Sequence, residues 1–148
     1  MKPDQFFRHW KQTRQQLYAM IDRFQEGELT YQPFPTWWTA GQIMLHVAES
    51  EDYWVRCVIL KEIDISPKYA LADYPTKDKI KGKLEESHGR TEKFLTGLEE
   101  ADLQKALKYE GDSHTLYWII WHMIEHEIHH RGELSLILGM LGKKGWGD

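Results

Sequence analysis

The stretch from Ser113 to about Leu141 constrains this chain more than any other, because it reads as one helix that is apolar on almost every side. Leu116, Ile119, Ile120, Ile124, Ile128, Leu134 and Leu138 are spread around its circumference rather than along one stripe. A helix of that kind must be covered from several directions, either as the central element of a helical bundle or with one flank against a second subunit. Glu125, His126, Glu127, His129, His130 and Arg131 interrupt its apolar run, so it is not a membrane span.

The rest of the sequence supplies the elements that would cover it. Phe7, Trp10, Leu17, Met20, Ile21 and Phe24 recur near helical spacing, which predicts a first helix from about Asp4 to Phe24 and a stop at Gly27. Leu29 to Trp38, with Pro33 and Pro35, reads as a long extended loop. Thr39 then offers a cap and Gln42 the reciprocal bond, which predicts a second helix running to about Glu62. A loop bracketed by Pro67 and Pro75 leads to a third, more polar helix from about Lys77 to Leu98, with Thr76 as its cap. A short turn covers Ala101 to Leu107. Gly111-Asp112-Ser113 announces the last helix, with Ser113 as its cap and Gly142 as its stop. No strand pattern stands out. The expectation is an all-α four-helix bundle with a long first crossover loop, formed as a single domain over residues 1–148.

Composition narrows the function classes. A net charge of −4 argues against nucleic acid as a partner, since phosphate binding needs a clustered positive face. Lys77, Lys79, Lys81 and Lys83 alternate with Asp78, Glu85 and Glu86 close by, the pattern of a solvated helix face. The single cysteine, Cys57, cannot form an internal disulfide and fits a reducing compartment. With no apolar leader at the start, the expectation is a cytoplasmic protein without membrane contact. Seven tryptophans, including Trp37-Trp38 and Trp118/Trp121, belong mostly to core or interface, although Trp37, Trp38 and Trp54 are also candidates for lining a pocket.

Five of the eight histidines fall between His114 and His130. Positions four apart on a helix lie roughly 40° apart on one face. His122, His126 and His130 therefore form a stripe, with Glu133 at its foot and His129 on its flank. Two histidines at this spacing can aim their nitrogens at one ion, about 2.0–2.1 Å from each. Burying such a stripe without a shared partner would be costly. One straight helix does not wrap an ion, and His46, on the apolar face of the second helix, is the best third ligand. Glu49 and Tyr53 share its face and become candidates to support the ligands or to touch substrate, together with His122 and Glu133. His9, His88 and His114 lie at polar or terminal positions and receive no chemistry. His126-Glu127-Ile128-His129-His130 also satisfies H-E-x-x-H, the zinc-protease pattern. The extended-motif position is occupied by Leu136, and no strand precedes the helix, so a protease is set aside.

His122 to Glu133, with the H-x-x-x-H step of His126 and His130 followed by Arg131-Gly132, resembles the C-terminal signature of the DinB/YfiT-like proteins. Thr39-Ala40-Gly41-Gln42, leading to His46 and Glu49, matches the second element of that family. The resemblance implies a four-helix bundle, often dimeric, with a divalent metal held by three histidines, here His46, His126 and His130. Glu133 stands where the family usually has glutamine. Three neutral imidazoles leave open coordination positions, and related enzymes imply activation of a low-molecular-weight thiol for transfer to an electrophile, as in detoxification. The implied partners are a small-molecule substrate, such a thiol and a second copy of the chain. The rival readings are a metal-binding or stress protein without catalysis, and a metal-dependent hydrolase. Imidazole accepts zinc, nickel, iron and copper alike, with zinc or nickel the leading expectation.

Overall fold

In a computed structural model that describes residues 2–145, four long helices carry the chain: α2 (Arg8–Arg23), α3 (Ala40–Asp52), α4 (Lys77–Thr96) and α5 (Leu116–Met140), preceded by one turn, α1 (Pro3–Phe6). α3 packs on α4 and α5, and α2 packs on the same two helices, so the four close into a bundle. The first expected helix is broken at Phe7, where the chain leaves helical geometry before α2 begins. After α2 a short 3₁₀ turn (Glu26–Thr30) opens the crossover to α3.

The starts of these helices follow local chemistry. Thr39 Oγ1 accepts from the Gln42 amide at 3.2 Å, while Gln42 Oε1 accepts from the Thr39 amide at 2.9 Å, the reciprocal cap expected there. Thr76 Oγ1 caps α4 through the Lys79 amide. The cap of α5 is Thr115, whose hydroxyl accepts from the Trp118 amide, and not Ser113. At the far end Gly142 adopts φ +74°, its amide bonds Gly139 and the Lys143 amide bonds Leu138, which is the Schellman stop.

Two elements depart from the expected pattern. α3 gives way at Tyr53 to a π-helical turn (Tyr53–Ile59), so the regular helix ends ten residues before Glu62. Residues 106–115 form a small antiparallel hairpin, β1 (Ala106–Tyr109) with β2 (Asp112–Thr115), where no strand was expected. Glu110 and Gly111 both take positive φ, +50° and +89°, as a two-residue turn between right-twisted strands requires. A 3₁₀ turn (Glu100–Gln104) precedes the hairpin.

The core has two apolar clusters. One gathers Leu17, Ile21, Phe24, Ile43, Leu84 and Leu138, and the other Trp10, Trp54, Leu95, Ile119, Ile120 and Met123. Between them lies a buried polar layer drawn from all four long helices: Arg14, Glu51, His88 and Glu127, with Thr13, Ser87 and Thr91. Arg14 donates to Glu127 (2.8 and 2.9 Å), to Glu51 (2.7 Å) and to the Leu84 carbonyl (2.9 Å). Trp10 donates to Glu127 at 2.6 Å, and His88 Nδ1 lies 2.8 Å from Glu51. Burial pushes the Glu51 carboxyl up, but Arg14 and His88 outweigh it and hold it at about 2. His88 is thus a core residue tied to Glu51, not a polar-face histidine.

Candidate metal centre

α3 and α5 run side by side and bring three imidazoles to one point. His46 Nε2 and His130 Nε2 each lie 3.1 Å from His126 Nε2. Nitrogens bound about 2.0–2.1 Å from one tetrahedral ion stand about 3.3 Å apart, so this spacing is close to what a first-row divalent ion requires. Helix periodicity supplies the His126/His130 pair, one turn apart on α5, and packing of α3 supplies the third.

The other edges of the rings fix their protonation. His46 Nδ1 faces Glu49 Oε2 at 3.2 Å, and His130 Nδ1 faces Glu133 Oε2 at 2.8 Å. A carboxylate only accepts, so each of these Nδ1 atoms carries the hydrogen and each neutral ring presents a bare lone pair at Nε2. His126 can donate to one of these lone pairs at most. Nor does a proton suit the cluster. Burial, followed by the neighbouring His130 and His46, pushes His126 down to about 3, and burial also lowers His130 against the opposing pull of Glu133. The three Nε2 atoms therefore converge on one point with His126 and His130 held against protonation, an arrangement that fits a divalent cation.

Trp38 covers this cluster, its ring centroid 4.5 Å from that of His46 and 6.2 Å from that of His130. Beside it opens a pocket of about 520 Å³, walled by Trp38, Gln42, His46, Glu49, Lys68 and Tyr69. Burial raises Glu49, but the bonds from His46 and from the Tyr69 amide (2.7 Å), with the Lys68 charge, outweigh it and keep this carboxyl below its ordinary range. The Tyr69 hydroxyl donates to the buried Asp52 at 2.6 Å and is pushed up by burial and by that carboxylate. Asp52 is gripped in turn by Arg90 and Ser87, which anchors the loop wall to α4. At Gly41 a Cβ would come within 2.6 Å of the Leu71 Cδ1 and 3.1 Å of the Leu29 carbonyl, so a larger residue there would have to displace the Leu71 side chain.

Not every residue expected at the site is there. Glu49 and Glu133 contact the cluster as described. His122, one turn before His126, belongs instead to an aromatic stack with Trp118 (4.9 Å, interplanar 4°) and Trp54. Tyr53, two turns beyond His46, packs its ring against Trp54 and Tyr109 instead. Trp54 is core, and Trp37 packs on Phe34 away from the histidines. His129 reaches Glu133 from the flank at 3.2 Å. Glu127, the would-be general base of H-E-x-x-H, points into the polar layer toward Arg14. The pocket residues Lys68 and Tyr69 were missed. The available signal was the long loop between Glu62 and Pro75, since long structured loops in compact domains tend to be functional.

Comparison with known proteins agrees with this arrangement. The DinB superfamily profile matches residues 9–134, and the chain belongs to that family. It is 22% identical over 147 residues to the uncharacterized protein YrdA of Bacillus subtilis (strain 168), across 94% of this chain and 83% of that one. Crystal structures of a DinB-like protein from Bacillus cereus ATCC 10987 and of the DinB-like protein YjoA from Bacillus subtilis both superpose with a TM-score of 0.76. The first is 19% identical and covers 100% of this chain and 99% of its own, and the second is 18% identical with 95% and 93% covered. At such identities the likeness establishes the fold. Among the described residues no helix is long and apolar enough to cross a membrane.

Proposed function

We propose that His46, His126 and His130 hold one divalent ion, zinc or nickel, and that the centre activates a low-molecular-weight thiol for transfer to an electrophile. The observation that carries the metal reading is the pair of 3.1 Å approaches among three Nε2 atoms, two of them forced to be lone pairs by Glu49 and Glu133. When bound, the ion lowers the pKa of a thiol or water at an open position and so makes a nucleophile available at neutral pH.

The protein's own groups prepare that chemistry. Glu49 and Glu133 hold the Nδ1 hydrogens and orient the rings. Trp38 screens one side from water, and the 520 Å³ pocket beside His46 admits a small molecule rather than a polymer. Lys68, at the pocket mouth and 3.9 Å from Glu49, is free to turn toward an anionic group. In the transfer the thiol gives its proton to solvent, sulfur bonds the electrophilic carbon, and the leaving group departs with its electron pair. The thiol reading rests on family resemblance together with this open pocket. A stress-related metal protein without turnover and a metal-dependent hydrolase share the same centre. Chloride displacement from monochlorobimane, measured with a panel of small thiols and with Zn²⁺ or Ni²⁺, separates the transferase from both, and an ester and amide panel then separates the hydrolase. Metal-stimulated turnover that disappears in His126→Leu is the expected result. Metal binding without turnover of any thiol would reject the transferase.

The same reading includes a homodimer. Trp121, Ile128, Leu136 and Met140 are exposed along α5, with Gly132 and Gly139 on the same side. Large and small groups on one helix face suit a two-fold contact in which each meets the other. Sedimentation of the wild type beside Ile128→Glu tests it, with a shift from dimer to monomer expected.

A further inference from the structure

We propose that the groove between the π-helical turn and the end of α4 binds a small amphiphilic anion, a carboxylate with a medium-length alkyl chain, at a site separate from the histidine centre. The groove exists because the chain leaves α3 abnormally. The Leu60 amide bonds the Val55 carbonyl at 2.9 Å, Lys61 takes φ +54°, and the Glu62 amide returns to the Arg56 carbonyl at 2.7 Å. This reversal carries the chain away before it can cover the last turns of α4. What remains is a concavity of about 540 Å³, within the usual range for small-molecule sites.

Its floor is apolar. Val55 is buried, Phe94 and Leu98 are half-buried, and Leu60 is exposed along one side. Its rim carries the cations Arg56, Arg90 and Lys93, with the Glu62 carboxylate beside Arg56. These cations differ in what they have left to give. Arg90 is bonded through Nε, Nη1 and Nη2 to Asp52 and Glu86, whose charges offset its own, so the groove's unmatched positive charge comes from Arg56 and Lys93. Arg56 meets Glu62 through Nε at 3.6 Å, and the Glu62 side chain is half exposed, so that pair is weak. Lys93 is exposed and has no hydrogen bond or ion pair among the described residues. Two cationic donors are therefore available above an apolar floor. A cation would be repelled by this rim, and a neutral chain would leave it unused. An anion with an apolar tail satisfies both parts.

The test uses the full chain and decanoate, added below its aggregation threshold and followed by calorimetric titration. One decanoate per chain is expected, with affinity falling at least about tenfold in Arg56→Glu/Lys93→Glu and little or no uptake of decyltrimethylammonium. Circular dichroism checks the fold of the double variant. Lys93→Glu alone changes only an exposed side chain and gives a second reading of the same loss. Metal content is measured in parallel and should be unchanged, so the result stands apart from the thiol reading. The proposal is overturned by no saturable uptake, by equal uptake of the cationic detergent, or by an affinity that neither variant alters. Binding to phosphatidylglycerol vesicles without uptake of monomeric decanoate would likewise overturn it, by assigning the patch to a membrane surface.

Discussion

Two buried polar clusters lie back to back in this bundle, and they are built on opposite principles. In the layer around Arg14 donors meet acceptors: the guanidinium meets two carboxylates and a carbonyl, Trp10 adds a donor to Glu127, and His88 completes Glu51. In the cluster around His126 acceptors converge on acceptors, and the protein supplies no cation at their centre. The first cluster is closed and needs only the fold. The second is open and could hold a metal ion. His126 and Glu127 are neighbours in sequence but point about 100° apart on α5, so one helix serves both.

This contrast makes separable claims. The largest expected effect is on the closed layer: Arg14→Met leaves Glu51 and Glu127 buried without their partner and should cost about 3–5 kcal/mol in denaturant unfolding. Metal content of the folded fraction should not change, and an effect below about 1 kcal/mol would deny that the layer is tightly coupled. On the open side, Glu133→Ala should lower metal affinity by about 10–100-fold, because His130 loses the group that fixes its ring. Glu133→Gln keeps an acceptor for Nδ1 and should lie nearer the wild type. Equal affinities for all three would show that Glu133 does not orient His130.

The two clusters should also part by pH. In the metal-free protein His126 is held at about 3 when folded, against an ordinary 6.5. Below pH 6.5 the unfolded chain takes up a proton there that the folded chain refuses, so stability falls as pH drops from 6.5 toward 3. Glu51, held at about 2 against an ordinary 4.5, contributes stability above pH 4.5 that is lost as pH falls toward 2. Melting temperatures of chelator-treated protein should therefore begin to decline near pH 6.5 and decline again below 4.5. His126→Leu should shrink the upper window and leave the lower one unchanged.

Much of the open cluster was legible in the sequence, because periodicity on α5 and a capped α3 suffice to align His126, His130 and His46. The carboxylates Glu49 and Glu133 followed from the same spacing. What escaped depends on contacts between distant segments or on backbone irregularity. His88 looks like one polar residue on a thin-faced helix until Glu51, thirty-seven positions away, is brought against it. Tyr53 keeps the spacing of the His46 face but lies two turns further on, where Trp54 and Tyr109 from the other apolar cluster take its ring. The hairpin at 106–115 has strands of only four residues, and Gly111-Asp112-Ser113 at its turn reads as a helix start. Tyr69 reaches the pocket through a loop whose path is set by Asp52 and Gly41 rather than by local pattern.

The central claim is that the open cluster is a metal centre, and calorimetric titration of chelator-treated protein with Zn²⁺ and Ni²⁺ tests it most directly. Wild type should bind one equivalent, His46→Ala, His126→Leu and His130→Ala should each lose that binding, and Arg14→Met should keep it where it folds. Unchanged stoichiometry and affinity in all three histidine variants would contradict the claim.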